Sequence, residues 1–209
     1  MMETNKIRAC ALFMIAALLL VVSAWAVEKS GLLAKWDFEE NGLKGWTLDA
    51  PSKDFVFALE KDSVHSGKAC VRMEKLQDAS SRPGYAYANI KIPQGSGFNS
   101  VKMQLFVRTK GLSDGEAVIR ILLHREGKVI DMIPMSRNGK EPFIALPASE
   151  QWVQVKGTGV VPRDIDSLTV IVASTVGKGI VWLDDISVEG SVEEADANQN
   201  TDKKQDAGK

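Results

Sequence analysis

The chain has 209 residues and a formal net charge of −1, with 26 Lys and Arg set against 27 Asp and Glu. That balance, with no basic stripe, argues against nucleic acid or an anionic lipid surface as a partner. An apolar content of 44% places the chain among globular proteins with enough material for one domain and a sizeable core.

Residues 1–26 read as a signal peptide. Lys6 and Arg8 form a basic start, Ala11 to Val22 is almost wholly apolar, and Ala24-Trp25-Ala26 fits an A-x-A cleavage site. The competing reading is a retained anchor, because residues 9–27 are just long enough to span a bilayer. The expectation is export with cleavage, giving a secreted or periplasmic protein with no membrane contact afterwards. Cys10 leaves with the signal, so Cys70 has no intrachain partner and is expected to be a packed small side chain. Residues 191–209 (SVEEADANQNTDKKQDAGK) are polar and of mixed charge, and are expected to form a disordered tail. The folded domain is then 31–190.

Within that domain nearly every segment reads as strand or turn. LAKWDFEE (33–40) is a strand ending in acids, followed by an Asn41-Gly42 turn and a second strand from Leu43 to Leu48. Phe55, Phe57 and Leu59 alternate; SVHSGK (63–68) is a loop; Ala69, Val71 and Met73 alternate after it. Arg82-Pro83-Gly84 turns into YAYANIKI (85–92), and a loop over 93–97 leads into VKMQLFVR (101–108) and EAVIRILLH (116–124). Residues 138–151, broken by Gly139, Pro142 and Pro147, are expected to wrap between sheets. WVQVK (152–156), LTVIVAS (168–174) and GIVWLDDISVE (179–189) follow. The last is apolar on both faces, as a central strand should be. Its Asp184-Asp185 pair conflicts with that burial unless something cationic meets the acids. There is no helical periodicity after the signal, and no repeat. The fold class is therefore all-β: a two-sheet antiparallel β-sandwich or jelly roll of eight or nine strands, with its first and last strands adjacent.

Alternation assigns faces. Val101, Met103, Leu105 and Val107 point inward, leaving Lys102, Gln104, Phe106 and Arg108 outside. Ala117, Ile119, Ile121 and Leu123 point inward, leaving Val118, Arg120, Leu122 and His124 outside. Ala86, Ala88, Ile90 and Ile92 point inward, leaving Tyr85, Tyr87 and Asn89 outside. Tyr85, Tyr87, Gln104, Phe106, Arg108, Arg120 and His124 are thus expected to share one ligand-binding face, where rings stack on sugar and amide or guanidinium groups meet hydroxyls. The bland reading is that the 138–151 segment covers them as ordinary packing residues.

With WDFEENGLKGW, VHSGKACVRM, VKMQLFVR, QWVQV and VWLDDISV in this order, the chain resembles the carbohydrate-binding modules of families 4, 9 and 22, in the galactose-binding-like jelly-roll superfamily. The likeness covers nearly all of 33–189. It implies a non-catalytic module and a structural calcium held by Glu39, the backbone of Ser66 to Lys68, and Asp184 or Asp185, an arrangement that suits calcium's oxygen chemistry. Pairing of these acids with Lys35, Lys44 or Lys68 is the alternative. The resemblance also implies that Trp46 and Trp152 are core residues, and Trp182 is assigned with them. Only His65 and His124 are available for catalysis, and no G-x-S-x-G, HExxH or P-loop pattern occurs. The expected function is monomeric, non-catalytic binding of a polysaccharide or oligosaccharide by a secreted or periplasmic module. The alternative is a structural or protein-interaction sandwich in an extracellular or cell-surface assembly.

Overall fold

A computed structural model describes residues 30–49, 55–76, 84–112, 117–133, 144–174 and 178–193. Twelve strands lie in them: β1 Ser30–Trp36, β2 Trp46–Asp49, β3 Phe55–Glu60, β4 Cys70–Lys75, β5 Tyr85–Lys91, β6 Ser100–Lys110, β7 Ala117–Arg125, β8 Lys128–Ile133, β9 Ile144–Ala145, β10 Val153–Val160, β11 Ser167–Ser174 and β12 Gly179–Ser191. They form two antiparallel sheets. The first runs β10-β6-β12-β4-β3, with β1 also on β12; the second runs β2-β5-β11-β7-β8, with β9 also on β7. The two-sheet all-β sandwich expected from alternation is what forms.

The inward sets from β5, β6 and β7 are buried and meet in one core with Val170, Val172, Leu183, Ile186 and Val188. At the centre of the first sheet, β12 has β6 along one side for its whole length. Its other side pairs with β4 over 179–183 and with β1 over 186–191. A bulge between Asp184 and Ser187 joins the halves, and Asp185 takes a left-handed φ of 49° there. The extra residue keeps Leu183, Ile186 and Val188 all facing the core. First and last strands are neighbours, as anticipated.

Several boundaries differ from expectation for identifiable reasons. β1 ends at Trp36, because Phe38 takes a φ of 61° and sinks its ring into the core; Glu39 and Glu40 therefore sit on a loop. The 191–209 tail begins too early, since Ser191 pairs with Ser30 and Ser100. Beyond it, Glu193 N donates to Asn99 Oδ1 (2.7 Å) and Asn99 Nδ2 donates to Glu193 O (2.8 Å). The signal and the remainder of the tail fall outside the described residues. β8 was not expected: its hairpin turns at Glu126-Gly127, both with positive φ, in place of an Asn-Gly or Asp-Gly signal. The described part of the 138–151 segment does bridge the sheets. Leu146 N donates to Ala117 O (2.8 Å) on β7, and Thr109 N of β6 donates to Ser149 O (2.7 Å).

The tryptophans divide. Trp46 packs at the core's margin, with its ring centroid 5.1 Å from Trp36 and 6.0 Å from Phe57. Trp182 is buried but lies on the outer face of the first sheet, beneath the Arg108 guanidinium at 5.0 Å. Trp152 is half-buried against His65, also outside the core. Strand parity and a bulge decide their places; hydrophobicity alone does not.

Candidate ligand face and the acid-clamped loop

The seven residues expected on one face are divided between the two sheets. Tyr85 and Tyr87 stand on β5, and Arg120 and His124 on β7, all on the outer side of the second sheet. Gln104, Phe106 and Arg108 stand on β6, on the outer side of the first sheet, across the sandwich. A single surface of seven is thus corrected to two surfaces. Parity says which way a side chain points relative to its own strand, and strand pairing decides which sheet it belongs to.

The second sheet's face is built in rows. Register aligns Thr47, Tyr87, Ile171 and Arg120 across β2, β5, β11 and β7, and in the next row Asn89, Thr169 and Leu122. Tyr85 and Tyr87 are half-buried with ring centroids 6.4 Å apart. The Tyr85 hydroxyl donates to Asp49 Oδ2 (2.7 Å), which raises its pKa because the bond and the nearby negative charge favour the protonated phenol. Thr169 Oγ1 donates to Asn89 Oδ1 (2.6 Å) and therefore accepts from His124 Nε2 (2.8 Å). That chain leaves the Asn89 amide N–H groups and His124 Nδ1 for other partners. Sequence reasoning turned Asn89 outward without counting it among the ligand-binding residues, and it missed Thr169. Thr169 lies on β11, a strand to which no faces had been assigned, although its alternation with Ile171 was visible.

The loop before β4 is held by the acids assigned to calcium. Asp184, fully buried, accepts from His65 N (3.0 Å) and Ser66 N (3.2 Å) at Oδ2 and from Asp185 N (2.8 Å) at Oδ1. Asp185 Oδ2 accepts from Ser66 Oγ (2.8 Å) and from His65 Nδ1 (2.9 Å), so the imidazole proton sits on Nδ1. Glu39 Oε1 accepts from Lys68 N (2.7 Å) and Ala69 N (3.1 Å). Gly67, at φ 65°, passes so close that an added Cβ would overlap that oxygen. Burial raises the Asp184 pKa, with the backbone donors working against it. Lys35 pairs with Asp37 (3.6 Å) instead of with these acids. The His65 ring stacks on Phe106 at 3.5 Å with Trp152 at its edge, which covers Phe106.

In charge, this cluster fits a cation: among the described residues the only cation-forming side chain on Glu39, Asp184 or Asp185 is His65. In geometry it fits one only in part. N–H or O–H groups face Glu39 Oε1, both oxygens of Asp184 and Asp185 Oδ2, so one ion shared by all five assigned residues does not match. His65, Asp184 and Asp185 offer ligand atoms within 4.8 Å of one another, a group without Glu39. Glu39 Oε2, Asp185 Oδ1 and the loop carbonyls are the oxygens left to an ion.

Ser66, His65 and Asp185 also have the residue types of a nucleophilic triad, without its wiring. The serine hydroxyl donates to the same carboxylate oxygen as the imidazole and makes no bond to the imidazole itself.

Among known proteins, no family model matches the chain and no curated protein does. Solved structures do. The CBM22-1 xylan-binding domain of Paenibacillus barcinonensis Xyn10C matches at TM-score 0.56 and 14% identity, over 81% of this chain and 100% of that one. The C-terminal family 22 carbohydrate-binding module of Clostridium thermocellum Xyn10B matches at TM-score 0.52 and 16% identity, over 78% and 94%. The enzymatically active domain of bacteriophage CBA120 tailspike protein 4 matches at TM-score 0.57 and 8% identity, but over only 20% of that chain. At such identities these likenesses show the fold: the β-sandwich jelly roll of carbohydrate-binding modules.

Proposed function

We propose that the protein is a non-catalytic carbohydrate-binding module that takes a polysaccharide or oligosaccharide on the outer face of its second sheet. The observation that carries this is the Tyr85–Tyr87 pair beside the hydrogen-bonded chain of Asn89, Thr169 and His124. Ring faces accept the CH surfaces of a pyranose, and the adjoining amide, imidazole and Arg120 groups address its hydroxyls. The likeness in fold to xylan-binding modules supports the reading. Gln104, Phe106 and Arg108 have no part in this face. The wiring around His65 supports a binding role without catalysis. The proposal includes a cleaved signal and a secreted or periplasmic location. It also includes a structural calcium ion on Glu39, Asp185 and the loop carbonyls, which would neutralise charge and fix the loop.

Affinity electrophoresis of the mature protein in gels containing xylan, β-glucan, mannan or a soluble cellulose derivative tests it. Retardation in one of these gels, lost in Tyr87→Ala and weakened in Tyr85→Ala, is expected. Full mobility in every gel would make the interaction-domain reading the better one.

A further inference from the structure

The outer face of the first sheet holds a cavity of about 330 Å³, on the opposite side of the sandwich from the tyrosines. Its position follows from the bulge in β12. Past that bulge Ser187 aligns with Gln104 and Glu189 with Lys102, while on the other side Lys156 aligns with Gln104 and Thr158 with Lys102. Alternation sends all six side chains outward, since Met103 between them is buried. Ser187 is buried, whereas Lys102, Gln104, Lys156, Thr158 and Glu189 stand exposed around it. Among the described residues neither Lys102 nor Lys156 makes an ion pair. Two unpaired ammonium groups beside a single carboxylate give the cavity a net positive lining. The remaining groups are an amide and two hydroxyls.

We propose that this cavity is a second binding site, for an anionic saccharide unit. Lys102 and Lys156 hold the acid group, a carboxylate or a sulfate. Gln104, Thr158 and Ser187 exchange hydrogen bonds with ring hydroxyls, and Glu189 accepts from one more. Lysine suits this role as a compact charge with three donors. Glu189 works against non-saccharide anions, because it repels a bare phosphate or carboxylate that brings no hydroxyl proton to share. A module with a tyrosine face for neutral sugar on one sheet and a lysine cavity for acidic sugar on the other could engage both kinds of unit in one matrix.

The test uses the mature chain carrying Tyr87→Ala, so that failure of the tyrosine face does not affect the outcome. Amide chemical shifts are followed during titration with tri-galacturonate, with a sulfated galactose trisaccharide, and with the neutral galactose trisaccharide. At least one acidic ligand is expected to shift the 102–104, 156–158 and 187–189 amides, while the neutral one leaves them unmoved. Affinity should fall at least about tenfold in Lys102→Gln/Lys156→Gln and recover in Lys102→Arg/Lys156→Arg. It should also weaken as salt rises from about 50 mM to about 500 mM. The two acidic ligands separate carboxylate from sulfate. Absence of binding by both, or binding unchanged in the double glutamine variant, would overturn the proposal. Both lysines are exposed, and a matched melting temperature excludes misfolding as the cause of any loss.

Discussion

Replacing Asp184 with alanine tests whether the loop before β4 is held from inside the sheet. The substitution strips acceptors from the amides of His65, Ser66 and Asp185. A buried donor left unsatisfied costs about 1–3 kcal/mol, and these three lie where water reaches them in part, so the low end of the range applies to each. Relief of the carboxylate's own burial offsets some of the sum. The net expectation is about 2–3 kcal/mol, or a fall of roughly 5–10 °C in Tm for a domain of this size. Asp184→Asn keeps one acceptor oxygen but turns an amide N–H₂ toward a backbone donor, for about 1–2 kcal/mol.

Aspartate and asparagine at position 184 differ in their response to acid, because only the carboxylate takes up a proton. Burial holds the Asp184 pKa above its ordinary value, so the native state binds this proton more tightly than the unfolded chain does. The ionised carboxylate therefore costs stability near neutrality, and that cost disappears as pH falls through the raised pKa. Wild type should gain on Asp184→Asn as the pH is lowered from neutral toward the ordinary carboxylate range. Denaturant melts followed by tryptophan fluorescence give the stabilities, and hydrogen exchange reports the His65 and Ser66 amides. An alanine variant destabilised by less than about 1 kcal/mol, with those amides exchanging no faster, would refute the reasoning.

Gly67→Ala should destabilise by about 2–3 kcal/mol in the same melts, because it adds a Cβ against Glu39 Oε1 at a φ of 65°. Cys70 is fully buried, and burial, with Asp184 and Glu60 nearby, pushes its thiol up to about 12. Iodoacetamide at about pH 8 should leave it unmodified in the native protein and alkylate it in denaturant; native labelling would contradict the packing. Phe106→Ala should lower Tm by uncovering the His65 stack while leaving glycan retardation intact, whereas lost retardation would return Phe106 to the ligand face. Chelation should lower Tm in wild type and less so in Glu39→Gln; an unchanged wild-type transition removes calcium from the account.

Period-two alternation carried most of the fold. Val101, Met103, Leu105 and Val107 of β6 and Ala117, Ile119, Ile121 and Leu123 of β7 are buried as parity requires, while Val118, which parity turns outward, is buried as well. Alternation is local, and that is why it succeeds. The elements it missed are those whose signal is weak or displaced. β8 is largely exposed and shows no alternation, and β1 stops short because a left-handed Phe38 reaches the core. The cluster of Glu39, Ser66, Lys68, Asp184 and Asp185 was legible as a meeting place. Its wiring was not, because a loop's N–H groups can neutralise carboxylates as well as a cation can, and composition does not separate the two.

The division of the ligand face follows from what no local pattern contains. β5 pairs with β2 and β11, while β6, the next strand in the chain, pairs with β10 and β12 in the other sheet. β5, β6 and β7 thus alternate between layers, and outward residues on β6 point to the opposite side of the molecule from those on β5 and β7. A surface assembled by collecting outward residues from these three strands mixes the two faces. The remedy is available in sequence only as a rule of topology: a ligand face should be sought on β5, β7 and β11, strands that share a layer. Tyr87, Ile171 and Arg120 satisfy that rule in a single row. Gln104 does not, and its alignment with Lys156 and Ser187 is what gives the opposite sheet a chemistry of its own.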